Sequence, residues 1–112
     1  MYILLILNTI FELAVPTGML LNPAFFYPKF TSELLPLTRL YALILAGVGC
    51  LGLILLINGG RNTAGLIALT IFHSLIALGQ FLNWRQKFIA LPVVIGHVIF
   101  ALGFLLASLS II

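Results

Sequence analysis

Glu12, His73 and His97 each stand inside a long apolar run, and they are the residues whose types could do chemistry there. A carboxyl and two imidazoles can exchange protons, bind a cation or ligate the metal of a cofactor. Each has polar company at helical spacing. Asn8, Thr9 and Glu12 fall on one helix face, as do Thr70, His73, Ala77 and Gln80. Pro16 cannot donate to the carbonyl of Glu12, four residues earlier, so a backbone acceptor is left free and a kink is expected at that turn. Arg39 is a further candidate, either as a snorkelling anchor or as an anionic-ligand contact beside Lys29 and Glu33. A bare-metal site made of Glu12 and the two histidines is a further option, but it lacks any tight spacing motif, and no metal ligand is assigned from the sequence. The lone Cys50 permits neither an internal disulfide nor a thiolate cluster, and its apolar flanks suggest a small packing residue.

The elements that must position these groups follow from composition. The 112 residues are 63% hydrophobic and only 6% charged, with a mean hydropathy of +1.33. A soluble domain carries about 25% charged residues. This chain cannot cover a water-facing surface, which excludes soluble enzymes, nucleic-acid modules and disordered tails. The net charge of +3 comes from the scattered Lys29, Arg39, Arg61, Arg85 and Lys87. These sit at the ends of apolar runs, where cations orient membrane proteins, and no nucleic-acid partner is expected. A basic leader is missing and Glu12 interrupts the first run, so Met1 onward is read as the first membrane segment rather than a signal peptide.

Four continuous apolar stretches, about 2–21, 37–57, 64–82 and 88–109, approach the ~20 residues needed to cross a hydrocarbon layer. Continuous rather than alternating runs argue for helices, which satisfy their own backbone groups in lipid. The expected fold is therefore all-α: a four-helix transmembrane bundle, antiparallel and up-down, in one membrane domain over 1–112. Asn22-Pro23 ends the first helix. Asn58-Gly59-Gly60-Arg61-Asn62 makes a tight hairpin, and Asn83 to Lys87 joins the last two helices. The loop 22–36 holds Phe25, Phe26, Tyr27 and Phe30, an expected interfacial aromatic belt with a short surface helix near Thr31 to Leu35. Cation counting places loops 22–36 and 83–87 in the cytoplasm, with both termini and Arg61 outside, in a bacterial inner membrane.

At 1.5 Å per residue, Glu12, His73 and His97 each lie about 15 Å from the cytoplasmic edge, half of a ~30 Å core. All three are expected at one level. No Lys or Arg shares that depth, so Glu12 must carry a proton, pair with a protonated His, or accept hydrogen bonds from Asn8 and a neutral imidazole. Small residues should form the packing seams: Ala46, Gly47, Gly49, Cys50 and Gly52, then Ala64, Ala68, Ala77 and Gly79, then Gly96, Gly103 and Ala107. Gly47-Val48-Gly49-Cys50-Leu51-Gly52 matches a dinucleotide fingerprint in letters only, because no strand precedes it.

Two resemblances arise. Phe11-Glu12-Leu13, Thr38-Arg39-Leu40-Tyr41-Ala42 before a Gly-rich helix, Phe72-His73 and Gly96-His97 resemble the DoxX-like class of small four-helix membrane proteins. That resemblance covers most of the chain. It implies an accessory subunit of a membrane oxidoreductase complex or a membrane chaperone, with no catalytic residue to carry over. The length, the mid-helix Glu12 and Leu91-Pro92-Val93-Val94-Ile95-Gly96 are similar to small multidrug resistance transporters, although their third-helix Tyr/Trp/Gly motif has no counterpart in 64–82.

Three functional expectations follow. The first is a non-catalytic accessory or assembly subunit of a larger, energy-converting membrane complex, whose partners are lipid and the transmembrane helices of other subunits or of further copies. The alternative is a proton-coupled small-molecule transporter using Glu12, Asn8 and Arg39. The third is a subunit binding a haem or chlorophyll-type pigment through His73 and His97.

Overall fold

The computed structural model describes residues 1–27, 29–86 and 90–111. Among these all regular structure is helical, with no strand: α1 Tyr2–Leu21, α2 Pro23–Phe26, α3 Leu35–Ile57, α4 Thr63–Leu82 and α5 Leu91–Ile111. Single 3-10 turns occupy Ser32–Leu34 and Trp84–Gln86. Four of the helical stretches are long and apolar enough to cross a membrane.

Several boundaries move from expectation for local reasons. The expected start at 37 shifts to Leu35, because Pro36 sits in the first turn, where a missing N–H costs nothing. The connection 22–36 is more structured than a loop. Pro23 opens the four-residue α2, and the expected surface helix is the 3-10 turn at Ser32–Leu34. The expected start at Phe88 and the cation Lys87 lie outside the described residues; α5 continues past Leu109 to Ile111. α1 runs through Pro16 as one helix.

The hairpin between α3 and α4 has a specific cause. Gly59 and Gly60 adopt φ of 85° and 66°, which favours glycine. Gly60 N–H reaches Leu55 O at 2.8 Å and Gly59 N–H reaches Leu56 O at 3.2 Å, the paired bonds of a Schellman motif. Asn62 then caps α4, its Oδ1 accepting from Gly65 N–H at 2.9 Å.

The buried positions recur at helical spacing: Leu5, Asn8, Thr9, Glu12, Pro16 and Met19 on α1, and Thr38, Ala42, Leu45, Gly49, Gly52 and Leu55 on α3. The most extensive packing pairs α1 with α3 and α4 with α5. A Cβ on Gly49 would lie 2.7 Å from the Leu13 side chain and 3.1 Å from the backbone carbon of Glu12; on Gly52 it would lie 2.7 Å from Asn8 Nδ2. Those glycines let α3 press onto the turn of α1 that carries the polar face. Gly96 receives the ring of Phe11 and Gly103 the side chain of Leu4, so α5 docks on α1 by knob and hollow.

Not every small residue lies in a seam. Gly47 and Gly79 have nothing within 4 Å of a would-be Cβ, and Cys50, Ala64 and Ala68 are exposed. Cys50 is therefore not the packing residue expected: its neighbours Gly49 and Gly52 point inward and leave it on the outer face. The aromatic belt is corrected in the same way. Phe25 is exposed, but Tyr27 is buried, and Phe26 and Phe30 pack against the core with it. Phe26 lies on Gly18, and its carbonyl accepts from Ala90 N–H at 2.7 Å. Burial pushes the Tyr27 phenol up to about 12, against a smaller opposing effect of the Thr38 side chain.

Two apolar clusters result. One gathers Leu5, Leu55, Leu66, Leu69, Phe100 and Phe104; the other gathers Met19, Tyr27, Ala42, Leu45 and Val93. On α1 the polar residues Asn8 and Glu12 fall between Leu5 of the first and Met19 of the second.

Candidate functional site

Asn8 and Glu12 reach in from α1, His73 from α4 and His97 from α5, and all four are 0% exposed. The two imidazoles touch directly, Nδ1 to Nδ1 at 2.9 Å. Nε2 of His73 lies 2.7 Å from Asn8 Oδ1. The Glu12 oxygen Oε1 stands 3.6 Å from Nδ1 of His73 and 3.5 Å from Nδ1 of His97.

These distances constrain the protons. Asn8 Oδ1 can only accept, so His73 Nε2–H donates to it. With both rings neutral, His73 Nδ1 is then a lone pair, and His97 Nδ1–H must donate to it. His97 Nε2 is left as a buried acceptor. It has no hydrogen-bond partner among the described residues, and the same holds for both Glu12 oxygens, Asn8 Nδ2 and Thr9 Oγ1. Leaving a buried polar group unpaired costs about 1–3 kcal/mol. The unpaired atoms fall in two places: Asn8 Nδ2 and Thr9 Oγ1 lie against Gly52 of α3, and Glu12 Oε1 lies beside the two imidazoles.

Aromatic rings wall the cluster. Phe11 meets His97 edge-on at 5.5 Å, and Phe72 meets His73 edge-on at 5.2 Å. Phe104 stacks on His73 at 5.9 Å, with Phe100 5.3 Å away. Low-polarity walls strengthen every electrostatic interaction inside them.

The common level expected for Glu12, His73 and His97 is realised as direct approach. Asn8 also joins the group, but through His73 rather than Glu12. Arg39 does not: it is exposed at the start of α3, with Glu33 and Lys29 exposed as well. Thr70 is absorbed by its own helix, donating to Leu66 O at 2.9 Å. Gln80 turns to α3, its Nε2 donating to Tyr41 OH at 3.3 Å. The phenylalanine walls were not anticipated, although Phe100 and Phe104 follow His97 at spacings of three and seven, which put them on its face. The direct contact of the two imidazoles leaves no slot for a macrocycle between them in this arrangement.

Comparison with protein-family models, with curated proteins and with solved structures finds no match to this chain.

Proposed function

We propose that the chain is a multi-pass integral membrane protein, a non-catalytic accessory or assembly subunit of a larger membrane complex. The observation that carries this reading is the contrast between a sealed polar interior and an apolar exterior. The polar cluster is fully enclosed, whereas large residues such as Leu43, Ile54, Leu75 and Leu106 face outward on α3, α4 and α5. Lipid and other helices are the partners such a surface fits. Gly47 is exposed with open space before it, a point where a partner helix can come close. A Glu12-centred transporter is the weaker reading, because that carboxyl has no exposed surface through which to load a substrate.

An up-down threading of four antiparallel membrane helices is part of the proposal. The Phe26–Ala90 bond supports it by joining the connection after α1 to the start of α5. The positions of Gly59 and Gly60, whose would-be Cβ atoms fall 3.6 Å from Tyr2 and Met1 respectively, support it at the other end. The 44 Å long dimension suits a bilayer of ~40–45 Å including headgroups. Lys29, Arg39 and Arg85 then share the cytoplasmic end, with Arg61 outside, in a bacterial inner membrane.

The test is mild-detergent extraction followed by native mass spectrometry. Stoichiometric larger partners are expected, and Gly47→Leu should release them without unfolding the chain. A lone monomer under conditions that keep other complexes intact would refute the subunit reading.

A further inference from the structure

We propose that Glu12, His73 and His97 form a binding site for one divalent transition-metal ion of the zinc or iron(II) class, ligated by Glu12 Oε1 and by Nδ1 of both histidines. Their ligand atoms lie close enough together to hold a single ion. The three edges of the ligand triangle are 2.9, 3.5 and 3.6 Å. An ion with bonds of ~2.0–2.1 Å in tetrahedral geometry sets its ligand atoms about 3.3 Å apart. The side chains thus already outline one coordination face.

The surroundings supply an outer partner for one of the two imidazoles, His73, while His97 Nε2 has none among the described residues. A ligating histidine donates its other ring N–H to an outer partner, which fixes the tautomer and aims the free lone pair at the metal. His73 does this through Nε2–H to Asn8 Oδ1 at 2.7 Å. Both Glu12 oxygens are fully buried and accept no hydrogen bond among the described residues, so the carboxylate has capacity for an ion. Every described Lys and Arg is exposed; a divalent cation is the counter-charge this carboxylate otherwise lacks. On binding, the proton between the two Nδ1 atoms gives way: His97 changes tautomer and both Nδ1 lone pairs turn to the metal.

The donor set selects the ion. Two imidazoles and one carboxylate suit zinc, iron(II) and their neighbours, whereas calcium and magnesium demand oxygen shells. Thiolate does not enter, since Cys50 lies on the outer face. Three protein ligands leave a position open for a small exogenous molecule. This site does not depend on the subunit reading, because metal content is a property of the isolated chain.

The experiment uses tag-free protein in mild detergent, stripped with a chelator, reloaded with zinc(II) or anaerobically with iron(II), and freed of unbound ion. Elemental analysis should find about one ion per chain. Glu12→Gln should lower affinity at least ~10-fold and Asn8→Ala ~10–100-fold, the range for an outer-shell partner. Cys50→Ser and Arg39→Gln should bind like the wild type. X-ray absorption on the loaded wild type should show two imidazoles per ion and no sulfur, a readout that stands even if Glu12→Gln fails to fold. Failure of the wild type to retain either ion, a sulfur or all-oxygen shell, or equal binding by a folded Glu12→Gln would overturn the assignment.

Discussion

α1 carries two interfaces. Toward α3 it meets Gly49 and Gly52, and the two backbones approach until a single added carbon would collide with Leu13, Glu12 or Asn8. Toward α4 and α5 it meets rings and polar atoms: Phe11 on Gly96, Asn8 on His73, and Glu12 opposite both imidazoles. The first interface gains from the sum of many van der Waals contacts, each worth little. The second holds groups whose mutual placement matters more than their number, and it leaves several of them unpaired. Close packing secures α1 against α3, and α1 thereby presents Asn8 and Glu12 to α4 and α5. The rigid seam holds the polar face in position, and the polar junction is where binding capacity is kept.

Substitutions can break this division of labour or sharpen it. The largest effect is expected at Gly49→Leu, where the obstacle includes the Glu12 backbone, which cannot swing away. It should cost about 3 kcal/mol, read as lost thermal stability in detergent, and should displace Glu12 with it. Asn8→Leu strikes the junction instead. It strands the Nε2–H of His73 and should cost about 1–2 kcal/mol, measured by the same unfolding assay with the helical circular-dichroism signal retained. Gln80→Leu removes the 3.3 Å bond to Tyr41, and about 0.5 kcal/mol is expected for a single interhelical hydrogen bond; a double-mutant cycle with Tyr41→Phe isolates it. Gly79→Ala should carry no cost at all. With open space at its Cβ position, it should range from neutral to about 1 kcal/mol stabilising through helix propensity. Should Gly79→Ala cost as much as Gly49→Leu, the seam would not lie where the structure puts it.

Particular residues show how much of this was readable in advance. Asn8, Thr9 and Glu12 declared their common face by spacing alone, and all three are buried. Asn58 to Asn62 announced a turn through its glycines, which adopt the left-handed backbone that turn requires. Gly47 and Gly49 were indistinguishable as letters, yet one faces open space and the other touches backbone. Tyr27 read as an interfacial aromatic, yet it is buried, because α2 and the bond from Phe26 to Ala90 fold that segment back onto the bundle.

The four long apolar runs, and the matching positions of Glu12, His73 and His97 along them, were already legible in the letters, because composition and a fixed rise per residue act along each helix separately. That α1 pairs with α3 and α4 with α5, that Asn8 serves His73 rather than Glu12, and that the imidazoles meet through Nδ1 emerged only on folding. Helix pairing and rotation depend on how two whole surfaces of large and small side chains interlock, and that is a property of neither surface alone.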